Sequence, residues 1–233
     1  MKVLKKVLIV VLSVILVAVT GIFALWHNEI ATVASITTII DQDLSHDDGY
    51  TYEMNVSGDY YFDDFLKQGG VSSDEELIQF ITGNITKGVI PMTIKTKEIA
   101  CSSFTAWTKD HQFVFGRNYD FDETNTAIVH TNPKGRHASV STIDLQFLGI
   151  DEKNGITGIK EKALLLAAPY IPLDGINDAG VACGIYMTYQ GDPTVPTNQN
   201  TEKPDITSTT LLRLILDYAD SVEEAIELAS QYD

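Results

Sequence analysis

The sequence predicts an α+β fold behind a single membrane-spanning helix, and three features carry the prediction. An uncharged apolar run, VLIVVLSVILVAVTGIFALW from Val7 to Trp26, stands at the front. Period-two alternation of apolar and polar residues recurs after Cys101, the pattern of half-buried strands. Two helical stretches, TSTTLLRLILDYA and SVEEAIELASQY, come after the strand signals, and strands followed by helices is the α+β order.

The front element needs about 20 apolar residues to cross a bilayer core as a helix, and the Val7–Trp26 run supplies them. Residues 1–6 form a basic tail with Lys2, Lys5 and Lys6, which positive-inside logic keeps in the cytoplasm, so the rest of the chain emerges outside. A cleaved signal peptide, with Ala34 as a small residue near a cut, is the competing reading. The run is longer than the usual signal core and no small-x-small site follows it directly, so a retained signal anchor over 7–26 is preferred.

Residues 27–100 are expected to be a segment with its own elements. A helical or stalk stretch ends in the polar turn before Gly49, and Tyr50, Tyr52, Met54 and Val56 alternate as one strand. Ser72 or Ser73, with Glu75 or Glu76 three residues on, makes a capping signal for a helix through DEELIQFITGNITK, stopped by Gly88 and Pro91. Tyr60, Tyr61, Phe62 and Phe65 form an apolar stripe that reads as core. From residue 101, SSFTAWT and QFVFG flank a polar turn at Lys109, Asp110 and His111 as a hairpin. TAIVH, HASVSTIDLQFLG, ALLLAAPYIPLDGIND and GVACGIYMTY read as further strands, and a Pro-containing polar loop precedes the two helices.

Composition narrows function. The 233 residues are 44% apolar and 21% charged, the balance of a globular chain. With the three early lysines set aside, 13 Lys and Arg face 32 Asp and Glu, which argues against nucleic acid because phosphate binding needs basic stripes. Only Cys101 and Cys183 are present, so this is no disulfide scaffold. His111, His130 and His137 lack metal-ligand spacing, and the acids at Asp120, Asp122 and Glu123 lack the glycine turn of a calcium loop, so no metal or cofactor is expected. Asn55 and Asn84 head glycosylation sequons with no host to give them meaning.

The chemistry gathers around the hairpin. A lone cysteine is more often a small buried hydrophobe than a nucleophile. Here Arg117 follows Cys101 by sixteen residues and Asp120 by nineteen, at the end of the second arm, and antiparallel pairing returns that end to Cys101. Thiol, guanidinium and carboxylate together suit nucleophilic attack on an amide. A cation stabilises the thiolate and a carboxylate positions an amine, the amine in view being the one Cys101 would own if the bond after Ala100 were cut. A surface ion pair between Arg117 and Asp120 is the plain alternative.

CSSF, GRNYDF and LDGINDAGVACGIYMTY together resemble the N-terminal-nucleophile cysteine hydrolases of the choloylglycine hydrolase, penicillin V acylase and acid ceramidase group, the linear amide C–N hydrolases. The resemblance covers Cys101 to about Gln231. It implies an αββα sandwich, with Cys101 as a nucleophile released by autocatalytic cleavage and Arg117 and Asp120 flanking the thiol and its amine. It further implies Asn177 as a site-shaping turn residue and the backbone N–H of Met187 as one oxyanion donor. Phe121, Ile185 and Tyr186 are the candidates for an apolar acyl pocket. The implied substrate is a small N-acyl amide, such as an N-acyl amino acid, a conjugated bile salt, a phenoxyacetyl penicillin or a lipid amide. The shortage of bases makes an uncharged long-chain or aryl-acyl amide the expected best substrate.

Relatives carry a second oxyanion Asn and a further Arg downstream of the last residue here, so the domain at 101–233 is expected to be the N-terminal part of a longer one. Residues 27–100 would then be a propeptide or a small subunit. The rival to an outward-facing membrane-anchored hydrolase is a surface binding domain without turnover, favoured if Cys101 and Cys183 form a disulfide. A papain-like protease is a weaker enzymatic alternative, since the sequence signature around its cysteine is missing.

Overall fold

The computed structural model describes residues 2–43, 45, 49–94, 100–120, 124–150, 153–186 and 201–233. Helix α1 runs from Lys2 to Ser35, beyond the apolar run, with a kink at Trp26 where φ is −126° and ψ is 22°. From Val3 to Ser35 it is long and apolar enough to cross a membrane, with a mean hydropathy of 3.0 in its most apolar stretch. Past the kink the helix belongs to the domain: Glu29 and Thr32 are buried, and the Ser57 N–H donates to Thr32 Oγ1 at 2.9 Å.

Strands β1 (Thr37–Ile40), β2 (Thr51–Val56), β5 (Thr126–Thr131), β6 (Ser139–Asp144), β7 (Asp174–Asn177) and β8 (Ala182–Gly184) form one sheet in the order β1-β2-β5-β6-β7-β8 among the described residues. The intervening β3 (Ala100–Trp107) and β4 (Phe113–Asp120) pair antiparallel as a separate two-stranded sheet. Among the described strands only β2 and β5 pair in parallel, Thr51 opposite Thr126 through Val56 opposite Thr131, because the chain between them crosses over through α2 (Phe62–Lys67), α3 (Asp74–Asn84) and the hairpin. The molecule is thus mixed α+β, as its alternation and its helical tail predict.

Alternation sets the register of the sheet. In β2, Tyr52 and Met54 are buried while Asn55 is exposed, and β5 buries Ala127, Val129 and Thr131. A one-residue slip would turn each of these sets out of the core. Helix α3 starts where its capping signal lies: Ser73 Oγ accepts from the Glu76 N–H at 3.2 Å and Glu76 Oε2 from the Ser72 N–H at 2.8 Å.

The core joins the two sides of Cys101. Phe62 stacks on Phe65 at 5.4 Å, Phe65 meets Phe80 edge-on at 5.3 Å, and Tyr170 packs against Phe65 at 5.8 Å. Such pairs add about 0.5–1.5 kcal/mol each beyond area burial. Tyr60 and Tyr61 enter α2 with φ of 42° and 59°, a left-handed conformation that costs of order 1–3 kcal/mol per non-glycine residue. The Tyr60 hydroxyl lies 2.7 Å from both oxygens of buried Asp217, and the Tyr170 hydroxyl donates to the Tyr60 carbonyl at 2.6 Å, contacts that offset the strain.

Two expected strands are helical in part: Leu145–Leu148, the end of HASVSTIDLQFLG, is a 3₁₀ turn, and ALLLAAPYIPLDGIND is the other. ALLLAAPY belongs to α4 (Ile159–Leu164) and to a 3₁₀ turn over Leu165–Tyr170, and only Asp174–Asn177 of that stretch is strand. Leu165 to Tyr170 are all buried, so the run has no polar face to betray its period, and Pro169 could not have donated to a sheet ladder. The closing helices α5 (Ser208–Tyr218) and α6 (Val222–Ala229) form where expected, α5 opened by a capping box between Thr207 and Thr210. Helix α5 lies close over β7: a Cβ on Gly175 would come within 2.7 Å of Leu216 Cδ1 and 2.8 Å of the Val140 carbonyl, so only glycine fits there.

Candidate active site

The β3–β4 hairpin delivers the site. Its turn closes through the Thr108 N–H on the Gln112 carbonyl at 2.8 Å, with His111 at φ 59°. Gly116 pairs with Phe104, whose ring lies where a Cβ on residue 116 would sit, 2.4 Å away. This cross-strand fit fixes the register. Cys101 then stands opposite Tyr119, Ser103 opposite Arg117 and Ala100 opposite Asp120. Directly opposed residues share a face, and so do residues two apart along a strand, so Cys101, Tyr119 and Arg117 lie on one face. Cys101 and Tyr119 are half-buried against the core.

Arg117 is drawn inward, its side chain only 4% exposed. Its Nη2 donates to the Ile185 carbonyl, its Nε lies 3.6 Å from Asp174 Oδ2, and its guanidinium stacks on Tyr186 at 4.3 Å and Tyr119 at 4.8 Å. A Cβ on Gly184 would meet Nη1 at 2.5 Å, so that glycine makes the guanidinium's space. Burial opposes its charge, but interactions with Tyr119, Tyr186 and Cys101 outweigh burial and raise its pKa. Among the described residues its Nε and Nη1 have no hydrogen-bond partner, as is also true of Arg136 and Arg213.

Asp174, within the LDGIND stretch, is a site residue that the sequence does not single out. Its Oδ1 accepts from Thr142 Oγ1 at 2.6 Å, and Thr142 Oγ1 lies 2.9 Å from the Tyr119 hydroxyl. Arg117 is therefore steered by a relay of three side chains from β4, β6 and β7. The Tyr119 hydroxyl is pushed well above its ordinary pKa, by burial first and by Asp174 second, and stays a neutral hydrogen-bonding group. Only the register of β6 against β7, Thr142 opposite Asp174, brings this relay together.

Asn177 is buried and uses both ends of its amide. Its Nδ2 donates to the Ala219 carbonyl at 2.8 Å and its Oδ1 accepts from the Val181 N–H at 2.9 Å, closing the turn through Gly180 at φ 87° and tying it to the end of α5. Ile185 packs half-buried against the core, while Tyr186 is 42% exposed above Arg117. Asp120 is placed by its backbone alone; its side chain, together with Phe121 and Met187, lies outside the described residues. A cavity of about 280 Å³ opens beside Arg117, Asn118 and Tyr119, reaching Thr126, Ile143 and Leu173, and Cys101 is not part of its lining.

The two cysteines are thiols and are not joined to each other. Cys183 sits on β8 opposite Gly175, and burial pushes its pKa up to about 12, which leaves it an inert thiol. Both thiols feel buried cations, Cys101 that of Arg117 and Cys183 those of Arg213 and Arg117, but for Cys183 burial outweighs them. Among the described residues no group of His, Cys, Asp and Glu is arranged to hold a metal ion.

No curated protein and no solved structure matches the chain. A family model does, over residues 101–233, more than half of the length: that of the linear amide C–N hydrolases, choloylglycine hydrolase family. With a thiol and a buried arginine on one face of a hairpin at the start of that match, the chain belongs to the choloylglycine hydrolase family of linear amide C–N hydrolases.

Proposed function

We propose that this protein hydrolyses the C–N bond of a linear N-acyl amide through Cys101, freed as an N-terminal nucleophile by cleavage after Ala100, in an αββα domain held outside the membrane by α1. The observation that carries the reading is the hairpin register, which sets Cys101 and buried Arg117 on one face. The family match, opening at Cys101, supports it independently.

In this mechanism Cys101 Sγ attacks the amide carbonyl carbon while its proton passes to the α-amine of the same residue. The C–N bond breaks, the amine product leaves with that proton, and a thioester remains on Sγ. Water then attacks the thioester, giving its proton to the α-amine and releasing the acid and the thiol. Arg117 stabilises the thiolate and Asp120 holds the α-amine. The backbone N–H of Met187 stabilises the oxyanion, a role worth about 3–4 kcal/mol for one donor. Asn177 shapes the turn before β8, and Phe121, Ile185 and Tyr186 border the acyl group. The exposed position of Tyr186 above Arg117 suits a lid over the acyl entrance more than a buried wall.

The test is the N-terminus of the mature protein. A chain beginning at Cys101, with the cut abolished in Cys101→Ala, is the expected result; an uncut chain that hydrolyses amides refutes the N-terminal nucleophile. The rival, a binding domain without turnover, draws on the absence of Cys101 from the cavity lining. It would be favoured by tight N-acyl amide binding with no product.

A further inference from the structure

Where α1 meets the domain, an apolar groove of about 720 Å³ runs between the end of the bilayer-length run and two domain elements. Ile22, Trp26, Ile30 and Val33 of α1 form one wall. Val89 and Ile90, after α3, and Ile159, Ala163 and Leu166, of α4 and the 3₁₀ turn, form the other. Val89 is 69% exposed and Ile159 73%, an open apolar rim rather than a closed core.

The polar side chains that reach the groove are spent on the protein. Glu29 accepts from the Tyr61 hydroxyl at 3.2 Å, Thr86 Oγ1 lies 2.9 Å from the Thr82 carbonyl, and Lys162 Nζ donates to the Ile36 carbonyl at 3.0 Å. A peptide laid in the groove would bury backbone groups against hydrocarbon without partners, at a cost of several kcal/mol each. A hydrocarbon chain has no such groups, and the volume lies within the roughly 300–1,000 Å³ of small-molecule pockets.

Position decides which hydrocarbon. Ile22 lies inside the Val7–Trp26 run and Trp26 at its end, about one helical turn or 6 Å further along the axis. If α1 spans a bilayer, the mouth of the groove is continuous with the acyl layer and Trp26 stands at headgroup level, where aromatic belts sit. Lys160, exposed and next in sequence to Ile159 of the groove, puts positive charge beside it in a chain with twice as many acids as bases, while Lys87 is held by the Tyr61 hydroxyl and the Asn84 carbonyl. We infer that the groove takes an acyl chain of a bilayer phospholipid, its headgroup lying toward Lys160, so that a lipid cements the domain to its own anchor. The inference rests on the reading of α1 as a retained anchor and is independent of the hydrolase chemistry.

The experiment uses the full chain in vesicles of phosphatidylcholine and phosphatidylglycerol, with a trace of phosphatidylcholine carrying a diazirine at the acyl terminus. Irradiation should label Val89–Ile90 and Ile159–Leu166 as well as the Val7–Trp26 run. Ala34 is exposed and lines the groove. Ala34→Trp should cut the two domain labels at least about tenfold by filling the volume, and leave the label on the run unchanged. Labelling of the run alone overturns the inference and keeps the anchor, and cross-links between two copies at Val89 and Ile159 assign the groove to a second chain instead. A 1–100 fragment that lacks residues 1–26, or that a carbonate wash releases from the vesicles, removes the anchor reading and the groove wall with it, whether or not the chain is cut after Ala100.

Discussion

Arg213 Nε lies 2.9 Å from Asp217 Oδ1, with both side chains fully buried; Arg117 Nε lies 3.6 Å from Asp174, with a cavity and a half-exposed tyrosine beside it. The first cluster closes on itself. Arg136 reaches the other Asp217 oxygen at 3.1 Å, Tyr60 reaches both, and Arg213 Nη2 donates to Ser139 at 2.6 Å. The second cluster holds its arginine by a carbonyl, two rings and one distant carboxylate, on the face that also presents Cys101. Both arginines leave Nε and Nη1 without a hydrogen-bond partner among the described residues, so place separates them: Arg117 lines a cavity on the face that carries Cys101, whereas Arg213 is fully enclosed. Residue type cannot separate the two cases, since both are an arginine near an aspartate.

Exchange of effects between the clusters is the sharpest way to break the comparison. Asp217→Asn leaves buried Arg213 without its counter-charge and Arg136 with only Asp63, 3.5 Å away, and should cost about 3–5 kcal/mol of stability, read by denaturant titration, with turnover per folded molecule unchanged. Arg117→Lys keeps the charge but loses the planar fork, and should lower kcat/KM on an N-acyl amide by about 10²-fold with a much smaller loss of stability. If both variants lose stability and activity in proportion, the two clusters are of one kind.

The thiols sharpen the same contrast. Cys183, raised from 9.0 to about 12, should react with iodoacetamide about 10³-fold more slowly than an ordinary thiol, because only the thiolate attacks. Peptide mapping after timed alkylation at pH 8 should find Cys101 modified and Cys183 spared. Equal modification would mean that β8 opens readily or that Arg117 gives Cys101 no advantage.

A smaller effect is expected at the relay. Asp174→Asn keeps the hydrogen bond to Thr142 and removes the charge facing Arg117, and should lower kcat/KM by about tenfold, the scale of one charged hydrogen bond. Rescue by Asp174→Glu would mark positioning, and an unchanged kcat/KM would leave Asp174 a bystander.

The smallest effect is at the rim, where Asp178 accepts from His137 Nδ1 at 2.6 Å and from the Ala138 N–H at 3.3 Å. These contacts, His137 first, hold its pKa below the ordinary 3.8. The folded state therefore gains from ionised Asp178 above pH 3.8 and loses that gain as pH falls through the lowered value. Melting temperatures of Asp178→Asn and the unaltered protein should differ slightly at pH 6 and converge in strong acid; a constant difference would exclude the carboxylate's charge as the cause.

Local chemistry was legible wherever one stretch of chain decides the outcome. The apolar run of α1, the Ser73 cap of α3, the turn around His111 and the spacing from Cys101 to Arg117 each depend on neighbours in sequence, through helix rise, cap geometry or hairpin register. The sequence by itself therefore determined a long apolar helix, an α+β domain and a thiol brought beside a cation. It also carried the family resemblance that the match over residues 101–233 bears out. What lay beyond it depends on elements far apart in the chain. Asp174 meets Arg117 only because β7 pairs with β6 and Gly184 yields its side-chain space; the run Leu165–Tyr170 hides its helical period because it is buried on all sides; and Tyr60, in a left-handed backbone, has its hydroxyl held by Asp217, 157 residues later. Burial and long-range ion pairing override local preference at such places, and their energies exist only once the tertiary structure has brought the partners together.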